Sequence, residues 1–449
     1  MRLTWRFFIL FSCLSAPAIA RAQAAPQQTM PGMPAMQTPA KPMDMTKPMG
    51  VPTGPLDLSD ARDGSGTSWV PDQTPMHAIS TMKGSWHLMF HDNVFVQFTK
   101  TGGARGDDHF GSVNWFMGMA QRDLGKGQFS VRAMVSLEPL TLGECGYPVL
   151  LATGEFCKDQ PIHDRQHPHD FFMEVAARYR QAISENVAFE VYGGPAGEPA
   201  LGPTAYPHRV SAMPNPLAPI SHHWLDSTHI SFGVLTGAVY GKKIKAEASV
   251  FNGREPDQNR YDFDLAALDS VSGRLSFLPN ERWALQVSAG HLKDNDLGSI
   301  GGRREDVNRV TASAIYHRLR DSGDISASTL AWGRNSTREH ATNAVLGETQ
   351  TTRGSSTWFA RGEFGQKTSD DLVVPGNDVF KLASAQLGIS QVIGTMQSMK
   401  LSVGGALTLA ILPDRLSNVY GKRSPAGFVV FVNVFPRAMA SMQMHHGRE

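Results

Sequence analysis

Beyond its first two dozen residues the sequence has no apolar run approaching the ~18 residues that a membrane-spanning helix needs. If the chain crosses a bilayer, it does so as strands. Nor is there an excess of charge: 42 basic against 41 acidic residues leave a net charge of +1, so no electrostatic case exists for nucleic-acid binding. Cysteine is scarce, with three residues in the whole chain. No G-x-S-x-G elbow, H-E-x-x-H helix or phosphate loop is present. Ser221, His222 and Asp226 make a Ser, His, Asp set in sequence, but such residues are common in loops and a triad is recognised by geometry. A barrel-embedded hydrolase is therefore the weakest of the functional readings.

What the sequence does have begins with a secretory signal over residues 1–22: Arg2 and Arg6, an apolar stretch from Phe7 to Leu14, and an Ala20-Arg21-Ala22 cleavage site. Cleavage removes Cys13 and leaves Cys145 and Cys157 in one long break of an exported chain, which points to a disulfide closing that loop. Residues 23–83 are rich in Pro, Met, Ala, Gln and Thr with little large aliphatic content, and read as a disordered arm.

From 84 to 436 the chain repeats a unit of roughly ten alternating residues followed by a break. Trp283, Leu285, Val287 and Ala289 oppose Ala284, Gln286, Ser288 and Gly290; Leu401, Val403, Leu407, Leu409 and Ile411 oppose Ser402, Gly404, Ala406, Thr408 and Ala410. Short breaks near 181–186, 241–242, 279–281 and 320–323 alternate with long ones near 139–170, 194–228, 252–267, 292–307 and 335–354. Short turns on one side and long loops on the other are the mark of a transmembrane antiparallel β-barrel. The fold class is all-β, a barrel of about 14–16 strands, with even numbers expected in bacterial single-chain barrels. Alternation alone does not say which face is inside, because a soluble sandwich inverts the same pattern. If the apolar face meets lipid, Arg132, Glu174, Arg178, Glu190, Lys245, Glu247, Arg274, Arg361 and Glu363 line the lumen as an ion-paired plug or a narrow polar pore. An even strand number places both termini on the periplasmic side of the bacterial outer membrane.

Methionine is concentrated at the ends. Met30, Met33, Met36, Met43, Met45 and Met49 lie in a segment that builds no core, and Met439, Met442 and Met444 precede His445 and His446 in a tail over 437–449. Thioethers are soft donors suited to Cu(I), and Ag(I) satisfies the same ligands. A second candidate is the run from His163 to Asp170, with His163, His167 and His169 beside Asp164 and Asp170, a donor set suited to Zn(II) or Cu(II). His208 and the pair His222-His223 could complete a site from across the barrel mouth. The bland alternative is a hydrogen-bonded polar loop. His87, His91, His109, His291 and His317 read as ordinary strand-end histidines, and Trp86, Trp115, Trp283 and Trp358 as an aromatic girdle.

The segments Gly66 to Trp69, Asn114 to Arg122, His163 to Asp170 and Phe251 to Asp257 resemble predicted outer-membrane barrels encoded near copper and heavy-metal efflux systems. In layout, a Met-rich arm before a barrel, the chain is also similar to copper resistance protein B. The resemblance implies a setting of copper tolerance, with outer-membrane lipid and a periplasmic copper oxidase or efflux component as partners. The arm holds no histidine between Gln23 and Met76, which favours Cu(I) over Cu(II) at that end. The reading is a barrel whose ends bind or sequester copper. The alternative is a general porin or small-solute channel.

Overall fold

The computed structural model describes residues 53–296 and 305–439. Nineteen strands are present among them: β1 (Ile79–Lys83), β2 (Trp86–Thr101), β3 (Asp108–Leu124), β4 (Gly127–Val135), β5 (Tyr147–Cys157), β6 (Gln160–Gln166), β7 (Phe172–Ala182), β8 (Ala188–Ala196), β9 (Val234–Tyr240), β10 (Ile244–Phe251), β11 (Ser270–Asn280), β12 (Trp283–Asp296), β13 (Glu305–Leu319), β14 (Ile325–Ser336), β15 (Ala341–Arg353), β16 (Ser356–Thr368), β17 (Val379–Met396), β18 (Met399–Ile411) and β19 (Ala426–Pro436). All but the β5–β6 hairpin join one antiparallel sheet of 17 strands. It closes where β19 pairs with β2, from Gly427 opposite Thr101 to Val434 opposite Val94. The short β1 pairs with the other end of the same flank of β2, Ile79 opposite Phe90, so it extends β19 and the closed ring has 16 strands.

Turns at 125–126, 183–187, 241–243, 281–282, 320–324, 354–355 and 397–398 alternate with connections at 102–107, 136–171, 197–233, 252–269, 337–340, 369–378 and 412–425. The predicted asymmetry is thus present, with one correction. The stretch 335–354, expected as a long loop, contains β15, paired along its length with β14 and β16. Its outward face, Asn343, Val345, Gly347, Thr349 and Thr351, carries one large apolar residue, so the period-2 contrast that marks the other strands is nearly absent.

Exposure decides which face is inside. Leu387 and Leu407 are 66% and 70% exposed while Lys245 and Arg361 are 0% and 3% exposed. An apolar exterior over a charged interior is the membrane-barrel arrangement and the reverse of a soluble sandwich. Inside, the charges pair: Arg132 with Glu174 at 2.9 Å, Lys245 with Glu190 and Glu247 at 3.0 and 3.3 Å, Arg274 with Glu247 at 2.9 Å, and Arg361 with Glu348 at 3.1 Å. Glu363 accepts from the Ser221 hydroxyl at 2.8 Å, so Ser221 is not engaged with His222. Pairing of this kind is what makes buried charge tolerable.

Two inward segments meet this wall. Residues 53–78, expected as part of a disordered arm, are instead seated against it. Asp60 and Asp63 take Arg180 at 2.6 and 3.0 Å and Asp63 takes Arg178 at 2.8 Å, while the carbonyls of Gly66 and Thr67 accept from Arg132 and Lys245 at 2.7 Å each. Trp69 and Val70 are buried against Tyr240, Leu278 and Ile315. Composition suggested disorder because the segment lacks aliphatics, but its order comes from partners on distant strands. The connection 197–233 reaches across from the other end: Ala200 contacts Ser249, Arg209 contacts Glu348, Asn215 contacts Gln386 and Trp224 contacts Thr342. The two segments meet where Ser68 and Thr204 hydroxyls lie 2.9 Å apart.

Candidate metal centre

Three connections at the loop end build one buried cluster. The first, 136–171, carries the β5–β6 hairpin, stapled by the Cys145–Cys157 disulfide with Cα atoms 5.4 Å apart. After β6 ends at Gln166, the chain leaves the sheet and places His167 and His169 in the interior, both buried. The second, 197–233, brings His222 and His223 on the single-turn helix His222–Leu225, and His229 on the turn Ser227–His229. The third, 252–269, contributes Glu255 and Arg260. Ring centroids are 5.1 Å apart for His222 and His229, 5.2 Å for His169 and His229, 5.3 Å for His222 and His223, and 6.1 Å for His167 and His223. Together with Glu155, Asp170 and Glu255 they line a cavity of about 10 Å³, room for about one water.

One nitrogen of each ring is already committed, and it is the same one. Nδ1 of His169 is 2.9 Å from Glu138, that of His222 is 2.8 Å from Asp226, and that of His223 is 2.9 Å from Glu255. Nδ1 of His229 meets the Asp226 carbonyl at 2.8 Å, and that of His167 the Pro168 carbonyl at 3.2 Å, with a Glu155 carboxylate oxygen 3.1 Å away. The opposite nitrogens, Nε2 of His167, His223 and His229, are buried with no hydrogen-bond partner among the described residues. Nε2 of His169 meets the Tyr206 hydroxyl at 3.1 Å. A carboxylate or carbonyl behind each imidazole fixes its tautomer and orientation, the outer-shell arrangement that metal-binding histidines use. The His223 ring packs directly on Gly154, whose φ of +114° and lack of a Cβ both serve the contact.

Electrostatics keep the ligand atoms free. Burial, reinforced by neighbouring cationic groups, holds His167 and His229 well below the usual histidine range, and burial also lowers His222 against the pull of Asp226. Burial acts on His169 too, but Glu138 outweighs it and raises that group. Burial lifts Asp170 to about 7 and Glu155 well above the carboxylate range in spite of Arg260. A neutral imidazole offers a lone pair at Nε2, the form a metal requires. No three of these histidines bring ligand atoms within 4.8 Å of one another; among the described residues only Asp257, Asp262 and Asp264 do so. Metal–nitrogen bonds of about 2.0–2.1 Å would draw at least one ring inward.

The other candidates from the sequence disperse. His163 turns away from the cavity to Asp164 at 3.0 Å and Arg105 at 3.4 Å. His208 lies elsewhere, its Nε2 3.3 Å from the Met134 sulfur. Met30, Met33, Met36, Met43, Met45, Met49, Met442, Met444, His445 and His446 lie outside the described residues; the Met439 amide donates to the Met76 carbonyl at 2.8 Å. Trp283 and Trp358 stand outward at 40% and 47% exposure, but Trp115, expected in the same girdle, is buried in the lumen against His208. His229 escaped the sequence reading, although it lies six positions after His223 in the same connection.

No family model and no curated relative matches the chain. Among solved structures it is similar to an outer-membrane protein of Vibrio cholerae, the loop-deleted OmpT, at 7% identity and TM-score 0.46, over 78% of this chain and 99% of that one. An anion-selective porin from Comamonas acidovorans gives 12% identity and TM-score 0.47 over 78% and 99%. Salmonella typhi OmpF, in complex with daunomycin, gives 12% and 0.47 over 80% and 100%. At such values these likenesses carry nothing about function.

Proposed function

We propose that this protein is an outer-membrane β-barrel that captures a transition-metal ion in the histidine cavity under its outer loops and contributes to metal tolerance. Copper is the ion favoured by the sequence resemblance and, for nitrogen donors, by the order of divalent affinities. The observation that carries the reading is the shared polarity of the rings: Nδ1 anchored in each, and Nε2 of His167, His223 and His229 without partners among the described residues, on rings that line one cavity. Unpaired buried polar atoms cost stability, and a metal ion satisfies several at once.

The test is metal content after equilibration of the refolded full-length protein in detergent with Cu(II) or Zn(II). Wild type retains about one ion that His167→Ala/His223→Ala loses, while His445→Ala/His446→Ala retains it. Equal retention by wild type and the loop variant removes the proposal.

A small-solute channel is the second reading, favoured by the 16-strand closed ring with a polar inner wall. Against it stand residues 53–78 and 197–233, paired to that wall. Conductance in planar bilayers separates the two: steady open steps from wild type favour the channel.

A further inference from the structure

The lumen contains a second cavity, larger than the first, at about 100 Å³ by the same measure. Its wall is made by three neighbouring strands. Met89 on β2 stands opposite Met119 on β3, and Met117 on β3 stands opposite His91 on one side and Met134 on the other. From inside, Met76 and Met213 of the two inward segments close over it.

This lining is unusual for a barrel interior. A membrane barrel presents apolar side chains outward and polar ones inward, and most of this lumen is polar, with an aliphatic and aromatic cluster of Phe95, Phe359, Leu382 and Phe431 elsewhere in it. Here the inward positions of adjacent strands are thioethers. Methionine also serves as an adaptable gap filler, but a filler closes a gap, and this one remains open.

Two histidines give the cavity a second kind of donor. His91 is partly buried and its Nε2 has no hydrogen-bond partner among the described residues. His208 already sets Nε2 3.3 Å from the Met134 sulfur, its ring tilted against Trp115 with centroids 4.8 Å apart. Arg132, Arg178, Asp60 and Asp63 also line this space but are paired, with Glu174, Asp63, Arg180 and Arg178 respectively, whereas Asp92, 4% exposed, opens on it with one carboxylate oxygen unpartnered among the described residues, a counter-charge for one cation.

We infer that this cavity, walled by β2, β3 and β4, is a binding site for a soft monovalent metal ion, Cu(I) or Ag(I), held by methionine sulfur with imidazole support. Thioethers and imidazole select such ions over hard divalent ones. The site is separate from the loop histidines and does not depend on the function proposed for them.

The test is an Ag(I) titration, against a competing chelator, of the refolded full-length protein and of Met117→Leu/Met119→Leu. Leucine conserves volume and apolarity and removes only the sulfur. Methionines outside the barrel are the same in both proteins, so the difference reads the cavity. The variant takes up about one Ag(I) fewer per chain, while His167→Ala/His223→Ala takes up the wild-type amount of Ag(I). Equal uptake by wild type and the leucine variant overturns the inference. Barrel formation is checked by heat-modifiable electrophoretic mobility; if the double variant does not fold, His91→Gln is titrated in its place. For that variant at least a tenfold weaker affinity for one Ag(I) is expected, and an unchanged titration overturns the inference equally.

Discussion

From β10 round to β16 the inner wall carries Lys245, Glu247, Arg274, Glu348, Arg361 and Glu363, and each finds a partner on a neighbouring strand or on an inward segment. Across the lumen, β2, β3 and β4 present Met89, Met117, Met119 and Met134 with His91 and Trp115, and Arg132 is the one charge there that is paired across strands, to Glu174. The first wall is closed by directional contacts, because a buried charge is tolerated only when nearly every donor and acceptor is met. The second has fewer directional contacts, Gln121 to Asp60 and Arg132 to Glu174 and the Gly66 carbonyl, and it keeps an open cavity. The comparison teaches that one barrel can hold its inward segments in place on one side and leave room for a ligand on the other.

The largest effect should come from removing what the charged wall holds. Deleting residues 53–74 frees Arg178, Arg180 and Lys245 from Asp60, Asp63 and the Thr67 carbonyl. A barrel silent in planar bilayers should then show discrete conductance steps. Steps of equal size from the intact chain would mean that the segment blocks nothing.

Next in size is Glu348→Ala. It takes the shared carboxylate from two fully buried guanidinium groups, leaving Arg209 with Asp226 and Arg361 with the Leu217 carbonyl, and a broken buried pair costs about 3–5 kcal/mol. Guanidinium unfolding in detergent measures it, and a loss under about 1 kcal/mol would show that the wall is more hydrated than its burial implies. Replacing Cys145 and Cys157 by serine releases a closed loop 12 residues long in sequence separation, worth about 3 kcal/mol on a chain-entropy basis. Amide exchange should quicken in β5 and β6 alone; quickening in the barrel strands would mean that the hairpin supports the ring. The smallest effect belongs to the methionine wall: Met117→Leu should cost less than about 1.5 kcal/mol by the same unfolding measurement. A cost equal to that of Glu348→Ala would erase the contrast between the two sides.

The barrel itself was legible because its strands set a greasy face against a small or polar one, as in Trp283 to Gly290, and because turn lengths alternate. β15 was not, since Asn343, Gly347, Thr349 and Thr351 give its outer face no apolar contrast. The arm was misjudged over 53–83 because Asp60, Arg62 and Asp63 look like solvated charge until their partners on β7 and in the turn after β9 are brought near. At the candidate metal centre, His167 and His169 and the pair His222-His223 were visible as residue types near strand ends. Their shared anchoring through Nδ1 depends on Glu138, Glu255 and Asp226, residues up to tens of positions away and unremarkable in the sequence. The methionine cavity left a trace that was overlooked: Met89, Met117, Met119 and Met134 all fall on the inward parity of their strands.

The most direct measurement of the central claim is an electron paramagnetic resonance spectrum of the full-length protein loaded with one Cu(II) per chain, beside His167→Ala/His223→Ala. Imidazole at the cavity predicts splitting from several nitrogens in wild type and its loss in the variant. A spectrum of oxygen ligands alone, or one identical in both proteins, would contradict it.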